Sequence, residues 1–223
     1  MMNAFKQAEK RYKLKKSDLH GTDFSGVIDF ADLNKPASAR VRRVPINDEN
    51  QLSEVVEAFA VEGFEGFYFL QNALDVPMQC IMAGQSLCQW CEPAWSSNSN
   101  LHGHHHTEKL SAWLKNDHNL LQKLRWVTLG YHYDWSARAY REGWQSPFPP
   151  SLAAFSKSLA ALVGFHEFTP EAAIVNIYHD DSMMGGHRDE LEIFQEPPVI
   201  SVSLGNACIF LLGGLDKRKC NKR

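Results

Sequence analysis

The stretch "NIYHDDSMMGGHRDELE", residues Asn176 to Glu192, carries two His-x-Asp pairs, His179/Asp181 and His187/Asp189. On an extended segment, residues two apart project to the same side, so one imidazole and one carboxylate can reach a single ion. A divalent iron centre of the facial-triad type takes two imidazoles and one carboxylate and keeps positions open for substrate and oxygen. The competing reading of either pair is a polar loop with solvated side chains. Context separates the two pairs. Gly185-Gly186 stand directly before the second and let the backbone turn sharply or approach a neighbour closely. The first pair abuts Tyr178 at the end of an apolar run, which makes His179 a strand-end residue.

Working outward, the apolar runs around this stretch are short, rich in Ile, Val, Leu and Phe, and bounded by Gly, Pro or Asn. "AAIVNIYH" (172–179), "PVISVSLG" (198–205) and "ACIFLLGG" (207–214) are expected strands. "LRWVTLGYHYDW" (124–135) begins with another, and Phe67–Leu70 with a further one. After Pro149-Pro150, Leu152, Phe155, Leu159, Leu162 and Val163 fall at helical spacing. Ser151 is the expected cap of that helix and Gly164 its end. Asp75-Val76-Pro77 offers a second helix start, with the helix running from Met78 to about Trp90. Residues 3–16 form a basic helix with Phe5, Tyr12 and Leu14 as its apolar contacts. "GVIDFADL" (26–33) packs as an extended piece, 34–50 is a polar connector, and 93–109, rich in Ser, Asn and His, is an exposed loop. Helices precede a run of strands. The pattern indicates an α+β chain with a β-sandwich or jelly-roll core.

Composition narrows the class. The chain has 223 residues, 44% hydrophobic and 22% charged, and a net charge of −3, with no apolar run near bilayer length. Lys6, Lys10, Arg11, Lys13, Lys15 and Lys16 break up its start, so no signal peptide is expected, nor any membrane contact, and the location expected is intracellular. Five cysteines argue against a disulfide framework. Both ends are basic and able to touch phosphates, although on composition alone a pair of solvated termini is the better reading.

Taken in order, "LRWVTLGYHYDW", "PFPPSLAAFSKSLAALVGF", "NIY", "HRD" and "PVISVSLGNACIFLLGG", with "GVIDF" near the start, resemble the AlkB family of Fe(II)- and 2-oxoglutarate-dependent nucleic-acid dioxygenases. They are most similar to the branch of the first animal AlkB homologue. The resemblance covers most of residues 26–215. It implies a double-stranded β-helix, a jelly roll with flanking helices. It implies Fe(II) and 2-oxoglutarate as cofactors, O₂ as co-substrate, and methylated DNA or RNA, transfer RNA included, as partner. The reaction implied is oxidative demethylation, in which an N-methyl group is hydroxylated and lost as formaldehyde. Residue by residue, His187 and Asp189 match two iron ligands, and Asn176 and Tyr178 match the pair that hydrogen-bonds 2-oxoglutarate. Trp126, Tyr131 and Tyr133 lie where the family meets the target base. Glu190 and Glu192 fall loosely where a carboxylate faces substrate. Such rings can stack on an extruded base, for about 1–3 kcal/mol per base, although an aromatic cluster also suits ordinary core packing. The branch implies a nuclear or mitochondrial location.

The resemblance divides the chain into an N-terminal helix and connector (1–50), an extension before the core (51–123), the proximal part of the dioxygenase domain (124–214) and an unmatched basic tail (215–223). The family takes a second His ligand, and an Arg for the far carboxylate of 2-oxoglutarate, from a strand well beyond the His-x-Asp pair. No histidine follows His187 here, and Arg218 and Arg223 lie in the unmatched tail. The expectation is a truncated form that lacks the distal strands. The alternative function is a catalytically inactive homologue that keeps only binding contacts. A third reading, an unrelated zinc module, rests on "CQWC" (88–91) followed by "HGHHH" (102–106), whose spacing fits no zinc finger cleanly.

Overall fold

The computed structural model describes residues 4–13, 22–46, 56–92, 96–98, 118–180, 182–189, 192 and 194–213. The chain forms two units. One comprises 1–73, 180–190 and 205–223; the other comprises 74–179 and 191–204.

In the first unit, helix α1 (Ala4–Tyr12) falls within the expected basic helix. A 3-10 turn (Pro36–Arg40) leads into an antiparallel sheet of β1 (Val41–Val44), β2 (Glu57–Val61) and β3 (Tyr68–Gln71), in that spatial order. Phe59, opposite Phe69 in the register, is fully buried. The Phe30 ring stacks on Phe69 at 4.0 Å and tilts against Phe59 at 5.9 Å. Phe30 lies in the stretch expected to be extended, but 26–33 folds as turns instead. The carboxylates of Asp29 and Asp32 capture the backbone N–H groups of Ala31 and Asn34, two residues on, and this local bond outcompetes a ladder. The expected connector, 34–50, contains β1. Its two central arginines conceal an edge strand, and charge on an edge is how sheets guard against stray pairing. Arg43 lies 5.8 Å over the Phe59 ring and pairs with Glu57 across the ladder at 2.7 Å. β2 has no period-2 signal because four of its five residues are buried, one face after the other.

The second unit holds α2 (Val76–Cys88), α3 (His118–Lys123), β4 (Trp126–Asp134), β5 (Ala139–Gln145), α4 (Pro150–Leu162) and β6 (Ala172–Asn176). Asp75 caps α2 by accepting the Met78 N–H at 2.8 Å. α4 follows the predicted stripe, burying Leu159 and Leu162. It begins two residues earlier than expected, with Pro149 at the cap and Ser151 inside, because proline's fixed φ suits the first helical turn. Gly164, at φ 94°, ends it.

The sheet order is β5-β4-β6, all antiparallel. β4 is the central strand, and Val127 and Leu129 on its inner face join Met82, Trp90, Cys91 and Leu124 in the core. Burying each of these aliphatic side chains stabilises the unit by about 1.5–3 kcal/mol. Gly130, at φ 70°, lies where any Cβ would collide with the Glu171 carbonyl, which accepts the Tyr131 N–H at 3.0 Å. Asn98 fixes the start of the strand. Its Oδ1 accepts the Arg125 and Trp126 N–H groups at 2.6 and 3.2 Å, and its Nδ2 donates to the Lys123 carbonyl at 2.7 Å. Residues 96–98 are therefore buried rather than an exposed loop, and Ser97 bridges to Val127. The rest of the expected loop, 93–95 and 99–109, lies outside the described residues.

The β4–β5 hairpin turns through residues 135–138. Asp134 Oδ1 accepts the N–H groups of Ser136 and Ala137 at 2.8 and 2.9 Å, and its other oxygen pairs with Arg141. These bonds, the Ala137 amide foremost, hold its carboxyl below the usual value of 3.8.

The strands expected over 198–205 and 207–214 do not form among the described residues. Residues 198–213 enter no ladder, and Val199 and Phe210 are 72% and 70% exposed. β-propensity expresses fit to a neighbouring strand, and with no neighbour to exchange N–H and C=O bonds the apolar pattern yields no strand.

Two outcomes follow for stability. Asn98→Ala removes three part-buried hydrogen bonds to backbone groups and is expected to cost about 2–4 kcal/mol, read from denaturant midpoints by tryptophan fluorescence. Asp134→Ala lowers the thermal midpoint at neutral pH. Because the folded carboxyl titrates below 3.8, its contribution is complete above that value and disappears as pH falls beneath it. The gap between wild type and variant is therefore expected to close in a melting series taken down through pH 3.8.

Candidate functional site

His187 and Asp189 sit together in the first unit. Both side chains reach the same side, as the His-x-Asp spacing predicts. His187 Nε2 lies 3.4 Å from Asp189 Oδ1, and both side chains are about half exposed. His187 Nδ1 is 2.9 Å from the Gly185 carbonyl. A carbonyl cannot donate, so Nδ1–H donates to it, and Nε2 is the ring nitrogen on the carboxylate's side. This is the arrangement in which an imidazole serves as a metal ligand with its other nitrogen anchored. The donor set of one neutral imidazole and one carboxylate suits Fe(II). Among the described residues no three His, Cys, Asp or Glu side chains converge on one point.

The first pair behaves differently. His179 donates from Nε2 to the Leu124 carbonyl at 3.1 Å, a strand-end role, and Asp181 lies outside the described residues. The zinc pattern gains nothing from the structure. Cys91 is buried, its thiol donates to the Leu87 carbonyl at 3.0 Å, and burial pushes it up to about 11, so it stays protonated. His102–His106 fall outside the described residues.

Asn176 and Tyr178 belong to the second unit. Exposure alternates along 172–178, with Ala173, Val175 and Ile177 turned to the core and Ile174, Asn176 and Tyr178 turned outward. Asn176 and Tyr178 therefore share one open face, and Tyr178 is 57% exposed. Trp126 is the direct ladder partner of Asn176, so its side chain rises from the same face. On that face of β4, buried Thr128 is 3.0 Å from the Ser96 carbonyl and 2.7 Å from His132 Nδ1. The hydroxyl has one proton, and the carbonyl can only accept it. The His132 bond must therefore run from Nδ1–H to the Thr128 oxygen. Burial holds His132 below the usual imidazole value and so neutral.

The expected aromatic residues divide. Trp126 is half-buried and lies 5.3 Å from Trp135. Tyr133 is buried, edge-on to Trp135 at 4.8 Å and to Tyr140 at 5.4 Å. Tyr131 is exposed and outside this cluster. Trp135 and Tyr140 were not singled out in the sequence, yet they complete the cluster. The signal was available, since a hairpin turn at 135–138 folds the next strand back onto the first. Trp135 is 49% exposed and forms the cluster's open edge. Tyr140 Oη lies 3.4 Å from Glu192 Oε1, and Glu190 is outside the described residues. No described helix is long and apolar enough to cross a membrane.

Comparison with known proteins identifies the family. Residues 67–223 match the family model of the 2OG-Fe(II) oxygenase superfamily. Nucleic acid dioxygenase ALKBH1 of Homo sapiens is 31% identical over 93% of this chain and 61% of its own length. DNA N(6)-methyladenine demethylase ALKBH1A of Arabidopsis thaliana is 29% identical over 96% of this chain and 75% of its own. tRNA demethylase abh1 of Schizosaccharomyces pombe is 43% identical over 41% of this chain. The chain thus spans about 61% of the length of its human relative. With a family model over most of its residues and relatives aligned along nearly all of it, the chain belongs to the 2OG-Fe(II) oxygenase superfamily, as a member of the AlkB family on the ALKBH1-like branch.

Proposed function

We propose that this protein is an Fe(II)- and 2-oxoglutarate-dependent dioxygenase that removes N-methyl groups from bases of DNA or RNA, including transfer RNA, on a jelly-roll core. The observation that carries the reading is the His187/Asp189 pair, with His187 Nδ1–H donating to the Gly185 carbonyl and Nε2 3.4 Å from the carboxylate. Relatives named as DNA, RNA and tRNA demethylases support the substrate class.

In this reading His187 and Asp189 hold the iron. Asn176 at the end of β6 and Tyr178 just beyond it, neutral donors on the same outward face, hydrogen-bond the carboxylate of 2-oxoglutarate without competing for the metal. Bound iron with 2-oxoglutarate and O₂ supplies the oxidising power for the methyl group. Trp126, with Trp135 beside it and buried Tyr133 supporting that ring, offers a face to a base that has left its stack, and exposed Tyr131 offers another outside the cluster.

The test is formaldehyde release from N-methylated single-stranded DNA and transfer RNA in the presence of Fe(II) and 2-oxoglutarate. Turnover should fall at least about 100-fold in His187→Ala, the loss of a metal ligand being more damaging than that of an outer partner. Background release by the wild type, with retained oligonucleotide binding, favours a binding protein without turnover. Undiminished release in His187→Ala places the metal elsewhere.

A further inference from the structure

We propose that Phe5 is a positioning residue for the His187/Asp189 pair, its ring wedged between Gly186 and Gly213 so that it fixes the backbone from which His187 projects; the proposal rests on the iron reading of that pair. Helix α1 lays Phe5, Ala8, Glu9 and Tyr12 along one half-buried stripe and leaves its lysines and Arg11 exposed. Opposite edges of the Phe5 ring meet different segments of the same unit. A Cβ built on Gly186 would overlap Cε1 and Cζ and stand 3.2 Å from Cδ1. Cδ2, across the ring, is 3.8 Å from where a Cβ on Gly213 would stand. The first contact leaves no room for a side chain at 186, and the second is ordinary packing. The far end of the helix is tied down separately. Arg11 Nη2 donates to the Asp23 carboxylate at 3.0 Å and to the Asp23 carbonyl at 3.2 Å, and Tyr12 Oη is 3.8 Å from where a Cβ on Gly26 would stand. With both ends seated, the ring has one place to be.

The wedge bears on the residue that matters most for His187. The Gly185 carbonyl accepts His187 Nδ1–H at 2.9 Å, so Gly186 is the single residue between the acceptor and the imidazole it orients. A Gly-Gly pair samples more backbone conformations than any other, and no side chain of its own limits it. A ring pressed against Gly186 supplies that limit from outside. It holds the carbonyl facing the imidazole and keeps Nε2 3.4 Å from Asp189 Oδ1. The φ of Gly186 is outside the left-handed region, so its own backbone would accept an alanine. The three atoms nearest to such a Cβ all belong to Phe5, and the need for glycine at 186 therefore comes from the ring. Phe5 and Gly186 thus act as a coupled pair, which a double-variant cycle can resolve.

The experiment compares the full chain as wild type, Phe5→Ala, Gly186→Ala and the double variant. Without metal, ring-nitrogen NMR reads which His187 nitrogen carries the hydrogen, and amide exchange reads 186–189. With metal, the visible spectrum follows a cobalt(II) titration. Gly186→Ala drives a methyl group into the ring and is expected to weaken cobalt binding about 10–100-fold, as losing the support of a ligand does. Phe5→Ala frees the loop and is expected to weaken it about tenfold, with faster exchange at 186–189 and a less dominant Nδ1–H form of His187. In the double variant the new methyl enters vacated space, so cobalt is expected to bind no more weakly than in Phe5→Ala alone. Unchanged cobalt affinity and tautomer in Phe5→Ala, or single effects that simply multiply in the double variant, would overturn the proposal. If Phe5→Ala loses its helix by circular dichroism, Gly186→Ala placed in a Phe5→Leu background completes the cycle. It is expected to be milder there than in the wild type, and equal damage overturns the coupling. Absence of cobalt binding by the wild type sinks the iron reading alone, since the metal-free tautomer and exchange comparison still decides the role of Phe5.

Discussion

The second unit depends on β4 having partners along both edges. β6 pairs with Trp126–Gly130, β5 pairs beyond the bulge at Tyr131/Tyr133, and Ser97 bridges to Val127. A buried strand must place every N–H and C=O, so this two-sided pairing is what permits Val127 and Leu129 to enter the core. Once the strand is fixed, its opposite face is fixed as well, because side chains alternate. Trp126, Thr128 and their ladder partners on β6 are then displayed in a set order, and the surface proposed for keto acid and base follows from that register. Shifting β4 by one residue would exchange the core face for the open one.

The two histidines described most fully show how a protein sets an imidazole's chemistry without touching its charge directly. His187 is held by the carbonyl of a residue two positions earlier, and His132 by a hydroxyl four positions earlier whose only proton is already spent on Ser96. In both, Nδ1 carries the hydrogen because its partner can only accept. The consequences differ with surroundings. His187 is half exposed and beside a carboxylate, a place where a cation can arrive, whereas His132 is buried and neutral, where one aromatic neighbour, Trp144, tilts against it at 5.8 Å.

Much of the second unit was legible in the sequence because its signals are local and repeated. The stripe of Leu152, Phe155, Leu159 and Leu162, the Asp75 cap and the apolar runs of β4 and β6 each repeat a period that one element alone imposes. β1 was hidden by Arg42 and Arg43, and β2 by burial on both faces. Residues 198–213 misled in the opposite direction. Their alternation is that of a strand, but a strand is defined by bonds to another backbone, and the described residues provide none.

For the site, the residues by themselves determined which side chains could serve. Spacing of two put His187 and Asp189 on one side, and the order of motifs marked Asn176, Tyr178 and Trp126, since these depend only on chain geometry and residue chemistry. Tertiary structure alone decided the rest. It separated His179, tied to a backbone carbonyl, from His187, whose Nε2 faces a carboxylate. It also carried the Leu124 carbonyl, 55 positions away in the chain, onto His179 Nε2. A hydrogen-bond partner far along the chain leaves no periodicity, because nothing short of the fold sets the distance between them.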